Sequence, residues 1–151
     1  MSNVSQFCTF YLDHLLFGVE SQNIQEVVGY RKLRPVRLAP PAVSGLMNLR
    51  GQVVIVLELR RQLELADRPA SITPVCLVVR AAGGEVCLLA DEVGNVVEVE
   101  PDTFEPSPET LSPRLRSVIL GVHKLEGQLL HVLDADRLCR IVTEDDDPRA
   151  N

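Results

Sequence analysis

The chain has no tryptophan, only two tyrosines and only four phenylalanines. With so few rings the core must be built from Val, Leu and Ile, which favours sheets and argues against an aromatic platform for stacking bases. The four cysteines, Cys8, Cys76, Cys87 and Cys139, include no CxxC pair. All lie in apolar stretches, the setting of buried free thiols in a reducing compartment. The open alternative is a disulfide between Cys76 and Cys87 across a hairpin. There is no GxxxxGK[ST] or GxGxxG to cradle a phosphate and no GxSxG elbow to carry a nucleophile. No apolar run approaches the roughly 20 residues that span a bilayer. No basic segment precedes an apolar stretch near residue 1, so neither a membrane span nor a signal peptide is expected. Positive charge is also in deficit, and a net charge of −6 argues against nucleic acid as a partner. The deficit is uneven. Residues 1–68 carry eight Lys/Arg against six Asp/Glu, and residues 69–151 carry seven against fifteen. The two halves therefore offer partners different surfaces.

What the chain does have is a repeated unit. Gly45-Leu-Met-Asn-Leu-Arg-Gly51 leads through Gln52 into the aliphatic run Val53 to Leu57. This reads as a β-hairpin with Arg50 at its tip, where Gly51 supplies the positive φ of a tight turn. A short helix follows from Glu58. The same layout returns 76 residues later, with Gly45, Leu49, Gly51, Gln52, Val56, Leu57 and Arg61 matched by Gly121, Leu125, Gly127, Gln128, Val132, Leu133 and Arg137. Ile24, Val27 and Val28 are likewise echoed by Val93, Val96 and Val97, 69 residues on. Fixed-period similarity means one supersecondary unit built twice.

Read in order, residues 6–19 form a hairpin around Asp13-His14, and 20–23 a turn. Ile24, Val27 and Val28 stand at helical spacing. The basic run Arg31, Lys32, Arg34 and Arg37 reads as an edge strand, because Pro35 cannot donate to a ladder. Ala39-Pro40-Pro41 is a loop. Residues 66–74 hold two prolines and read as a linker. The second half restarts with strands either side of a Gly83-Gly84 turn. A proline-rich excursion from Pro101 to Pro113 has Phe104 as its anchor, a strand spans 117–120, and a helix lies near 134–141. Residues 142–151 read as an acidic solvated tail. The expected fold is mainly β, two small barrels in tandem with short helices. The first takes 6–65 and the second 75–141.

Catalytic chemistry finds little support. His14, His123 and His131 lack a nucleophile context, so structural histidines are the plainer reading. His123 and His131 could meet across the second hairpin, but no third metal ligand is evident. The basic run is an edge that discourages aggregation rather than a phosphate site. Arg50 is less easily set aside. It is either a solvated tip or a guanidinium paired to Glu26, a role for which its rigid fork is suited.

The segments Gln25-Glu-Val-Val-Gly-Tyr30 and Gly45-Leu-Met-Asn-Leu-Arg-Gly51, with the valine-rich strand and Glu58-Leu59, resemble the CheW family of chemotaxis coupling proteins. The resemblance runs from Phe7 to Ile141, and Asn48-Leu-Arg-Gly51 is its most specific part. It implies two five-stranded SH3-like barrels within one CheW-like domain. It also implies a non-enzymatic adaptor between the cytoplasmic tip of chemoreceptors and the regulatory domain of a CheA-type histidine kinase. On that reading the protein is cytoplasmic, beside receptor arrays on the inner face of the membrane, with no cofactor or metal and no membrane insertion. The alternatives are a CheW-like module serving another signalling protein in a non-flagellar pathway and, from a different class, a hydrolase using Cys87 or His131. Partner contacts are expected at Glu26, Asn48 and Arg50. A receptor groove is expected in the cleft between the barrels, lined by Val19, Ile24 and Val27 from the first half and Val93 and Val97 from the second. The competing reading is that these five are ordinary core.

Overall fold

A computed structural model describes residues 4–39, 41–81, 84–109 and 111–145, with no side-chain description for Arg114 or for 141–145. Pro40 of the expected loop, Gly83 of the expected turn and 146–151 of the expected tail lie outside the described residues.

The strands are β1 (Ser5–Leu12), β2 (Leu15–Glu20), β3 (Ile24–Gly29), β4 (Val43–Leu49), β5 (Gln52–Glu58), β6 (Val75–Ala81), β7 (Gly84–Ala90), β8 (Glu92–Val99), β9 (Phe104–Glu105), β10 (Ile119–Leu125) and β11 (Gln128–Leu133). Three short helices accompany them, α1 (Leu59–Gln62), α2 (Pro113–Ser117) and α3 (Ala135–Asp145). One sheet runs β3-β6-β7-β5-β4 and the other β8-β1-β2-β11-β10-β9. The two orders are the same once the repeat is applied. β3 corresponds to β8, the β6–β7 hairpin to β1–β2, and β5–β4 to β11–β10. In each sheet one parallel pairing, β5 with β7 or β11 with β2, joins hairpin to hairpin.

Each sheet also closes on itself. After β3 the chain crosses over and pairs Arg34 with Leu46 of β4. After β8 it crosses through a 3-10 turn at Pro101–Thr103 and pairs Glu105 with Val122 of β10. The closing segment passes directly over the first glycine of the repeat. A Cβ placed on Gly45 would fall 2.6 Å from the Arg34 carbonyl oxygen, and one on Gly121 would fall 2.6 Å from the Glu105 carbonyl oxygen. The repeated glycine is therefore required by barrel closure.

The division expected at 66–74 does not separate the barrels. Each takes a hairpin from the other repeat, so β1–β2 belong with β8–β11 and β6–β7 with β3–β5. The exchange has a clear physical consequence. The largest buried cluster lies between the sheets, where Phe10, Phe17 and Val19 of one meet Leu57, Leu77 and Leu88 of the other, with Leu138 of α3. Two smaller clusters fill the barrels themselves, one around Met47, Val56, Cys76 and Cys87 and the other around Phe7, Leu16 and Leu130. Each fully buried aliphatic side chain contributes about 1.5–3 kcal/mol.

Four local expectations change. Residues 24–28 form a strand, with a register shift against β6 between Ile24 and Glu26. The basic run is no regular strand and pairs only as the Arg34–Leu46 bridge. Residues 113–117 are helical, with Ser112 capping α2 by accepting from the Leu115 N–H at 3.2 Å. The last helix reaches Asp145, into the expected tail.

Candidate functional site

The β4–β5 hairpin turns through Arg50 at φ 54° and Gly51 at φ 84°, both left-handed, as a type I′ turn requires. Asn48 braces it, its side-chain Oδ1 accepting the Gly51 N–H at 3.0 Å. This gives Asn48-Leu-Arg-Gly51 a mechanical meaning. Asparagine stabilises the turn, glycine permits it, and Arg50 is projected from it. Arg50 Nη2 then donates to Glu26 Oε2 on β3 at 2.9 Å. The Arg50 side chain is 75% exposed and that of Glu26 18%. A pair so open at one end contributes at most about 1 kcal/mol to stability. The other carboxylate oxygen, Glu26 Oε1, is buried without a hydrogen-bond partner. Beside the pair, Tyr30 and Val27 are exposed, and Arg31 Nη1 lies 3.5 Å from the Asn48 carbonyl oxygen. The result is an ion pair at the hairpin tip, open to solvent at its arginine end and half-buried at its carboxylate end, while Val27 faces outward from the same strand as Glu26.

The five residues expected to line an inter-barrel groove do not form one. Val19 is fully buried in the inter-sheet core, which fills the place where a cleft was expected. The exchange of hairpins is the cause, since it sets β2 in the middle of its sheet facing the other barrel. Ile24 is partly buried against the same core, and Val97 packs on the Phe7–Leu130 cluster. Only Val27 and Val93 are exposed, on edge strands of different sheets. Val96, the counterpart of Val27, is exposed as well.

One cluster was not anticipated. Arg60, on α1, is almost completely buried. Its Nε and Nη2 reach the two oxygens of Asp91 at 3.0 and 2.5 Å. Nη2 also donates to Asp13 Oδ1 at 2.6 Å, and Nη1 to the Ala66 carbonyl at 2.7 Å. Arg68 completes the network through Asp91 Oδ1 at 2.8 Å and Glu58 Oε2 at 2.6 Å. Burial pushes the Asp91 carboxyl up, but hydrogen bonds from Arg60, the Asp13 N–H and Arg68 prevail and hold it at about 2. Hydrogen bonding to Asp91, against burial, raises the Arg60 guanidinium above its ordinary value. The network ties both exchanged hairpins to α1 and to the 66–74 segment. Arginine between two leucines (Leu59 and Leu63), with an aspartate at the β1–β2 turn and another at the bend between β7 and β8, was the available sequence signal.

Catalytic geometry is not assembled among the described residues. His131 lies 3.0 Å through Nδ1 from the Leu16 carbonyl, and His123 2.7 Å through Nδ1 from the Thr103 hydroxyl. Val122 is the partner of His131 and Leu130 the partner of His123, so the two imidazoles leave the hairpin on opposite faces and do not meet. No group of three or more His, Cys, Asp or Glu side chains among the described residues could hold a metal. The Cys87 thiol is pushed up by its hydrogen bond to Cys76 and by burial, which suits a proton donor and not a nucleophile.

A sequence model of the CheW-like domain matches residues 6–142, which takes in both repeats and both closing segments. The chain belongs to the CheW family. Relatives named chemotaxis protein CheW include one from Rhizobium meliloti, 28% identical over 120 residues, covering 80% of this chain and 77% of that protein. Another is from Treponema pallidum, 23% identical over 137 residues, covering 88% and 81%. The fold matches the crystal structure of the scaffolding protein TtCheW from Thermoanaerobacter tengcongensis at a TM-score of 0.78 and 22% identity, over 86% of this chain and 88% of that one. Among the described residues no helix is long and apolar enough to cross a membrane.

Proposed function

We propose that this CheW-family chain is a non-enzymatic adaptor of a bacterial chemosensory system. It joins the cytoplasmic tip of chemoreceptors to the regulatory domain of a CheA-type histidine kinase, on the inner face of the membrane. The observation that carries this reading is the family match across residues 6–142. The names of the relatives, chemotaxis protein for one set and scaffolding protein for another, support it. So does the geometry. Paired barrels with His123 and His131 tied to structural partners suit binding, and the hairpin tip at Asn48 and Arg50 offers a partner an open guanidinium braced by Glu26. Val27, exposed on the outward face of the same strand as Glu26, supplies apolar surface of the kind protein interfaces bury.

The test is a capture experiment with the purified chain, a kinase regulatory domain and a receptor cytoplasmic fragment. The adaptor reading expects each to be retained alone and both together in a ternary complex. Retention of neither, by a chain shown to be folded, contradicts it.

A further inference from the structure

Cys76 on β6 and Cys87 on β7 are both fully buried and belong to the same cluster inside the five-stranded barrel. The β6–β7 register pairs Cys76 with Leu89 and Val78 with Cys87, so the cysteines are diagonal neighbours on one face of an unbulged ladder. The other barrel is a guide to how close that diagonal brings two Cβ atoms. There the equivalent positions are Phe7 and Gly18, in the same register, and a Cβ built on Gly18 lies 3.3 Å from the Phe7 Cβ. Disulfides have Cβ atoms about 3.5–4.5 Å apart. One barrel fills this diagonal with a ring and a glycine, and the other with two thiols, both free in this structure. The geometry points to Cys76 and Cys87 as an oxidation site, a dithiol that a hydroperoxide converts into an intrachain disulfide.

The roles within the pair differ. The hydrogen bond from Cys87 lowers the Cys76 thiol's pKa against burial, with help from the backbone N–H and charge of Arg31. Cys76 is thus the attacking sulfur. Its thiolate takes the terminal peroxide oxygen, giving a sulfenic acid and releasing the alcohol, or water when the oxidant is hydrogen peroxide. The Cys87 sulfur then displaces the sulfenic hydroxyl, which leaves as water with the Cys87 proton. Two thiols and one hydroperoxide become one disulfide, one alcohol or water, and one further water. Access requires local opening near Arg31, where the crossing segment is bridged to β4 at Arg34.

The experiment exposes the folded full chain to hydrogen peroxide, alkylates remaining thiols and maps the peptides by mass spectrometry. The expected product joins the Cys76 and Cys87 peptides with loss of two hydrogens, survives in a Cys8→Ser/Cys139→Ser double variant and reverts with dithiothreitol. In Cys87→Val, with an unchanged melting temperature, Cys76 loses both the hydrogen bond that lowers its pKa and the thiol that resolves its sulfenic acid, so dimedone should trap at Cys76 a sulfenic acid that the parent instead converts into the disulfide. Recovery of Cys76 and Cys87 as separate alkylated peptides, at a dose that oxidises the partly exposed Cys8, overturns the proposal. So does a link that runs through Cys8 or Cys139.

Discussion

The two barrels have one strand order and differ where they meet the outside. At the first hairpin tip Asn48 accepts from Gly51 and Arg50 bridges to Glu26. At the second, Gly127 keeps the same φ, 83° against 84°, but Lys124 and Glu126 stand where Asn48 and Arg50 would be. A similar contrast separates the two ends of the inter-barrel seam. Arg60 and Asp91 fill one end. The positions matching them are Asp136 and Gln22, which line a cavity of about 210 Å³ with Glu20 and Asn23. Backbone constraints were kept in both copies, while the side chains at the hairpin tip and at the seam were not. The first tip therefore carries a braced turn with the Arg50–Glu26 pair, the second the exposed Lys124–Glu105 pair, and among the described residues the ionic network of the seam lies at the Arg60 end.

This contrast can be broken most forcefully at Arg60. Arg60→Ala leaves Asp91 buried among fewer donors, and the loss in denaturant unfolding should be about 3–5 kcal/mol. A matched change at the other end, Asp136→Ala, should remain within about 0.5 kcal/mol.

Acid reaches the same network by titration. The folded-state pKa of Asp91 is depressed, so its contribution is complete above its unfolded value near 4 and disappears as pH falls towards about 2. That amounts to about 2 kcal/mol, absent from the pH profile of Asp91→Asn. Burial also lowers the pKa of His123. A separate, earlier loss therefore begins as pH drops through about 6.5, and His123→Gln should lack it.

The closing glycines should behave alike in both barrels. Gly45→Ala and Gly121→Ala each force a methyl group against a backbone carbonyl, and each should destabilise by about 1–3 kcal/mol. The tips should behave differently. Asn48→Ala removes the turn brace at a cost of about 1 kcal/mol, whereas Lys124→Ala, with no such role, should change the melting temperature little.

The repeat, its hairpins and the Arg50–Glu26 pairing were legible in the sequence because each depends on short-range chemistry. A Gly-Gln turn, an aliphatic run and a tip arginine near an acid in a neighbouring segment suffice. The hairpin exchange was not legible. Both N-terminal hairpins carry the same apolar pattern, so local periodicity cannot say which partner strands each will join. That choice is made by the long-range burial of Phe10, Phe17 and Val19 against Leu57 and Leu88. The groove expectation failed for the same reason, since it assumed the barrels meet through an open cleft. The helical spacing of Ile24, Val27 and Val28 misled because the segment is a strand, whose plain alternation turns Ile24 and Val28 inward and Val27 outward. Arg60 escaped notice because its main partner, Asp91, comes from the other repeat.

The central claim, that the first hairpin tip carries partner recognition and its counterpart does not, is tested most directly by charge exchange. Binding of the kinase regulatory domain and of a receptor fragment would be measured by calorimetry for Glu26→Arg, Arg50→Glu, the double exchange, and Lys124→Glu with Glu126→Arg in the second tip. The account predicts that each single change at Glu26 or Arg50 weakens at least one partner tenfold or more while the fold persists, that the double exchange recovers part of the loss, and that the second-tip variant binds as the parent does. Unchanged binding by the folded Glu26 and Arg50 variants, or a loss confined to the second tip, would contradict it.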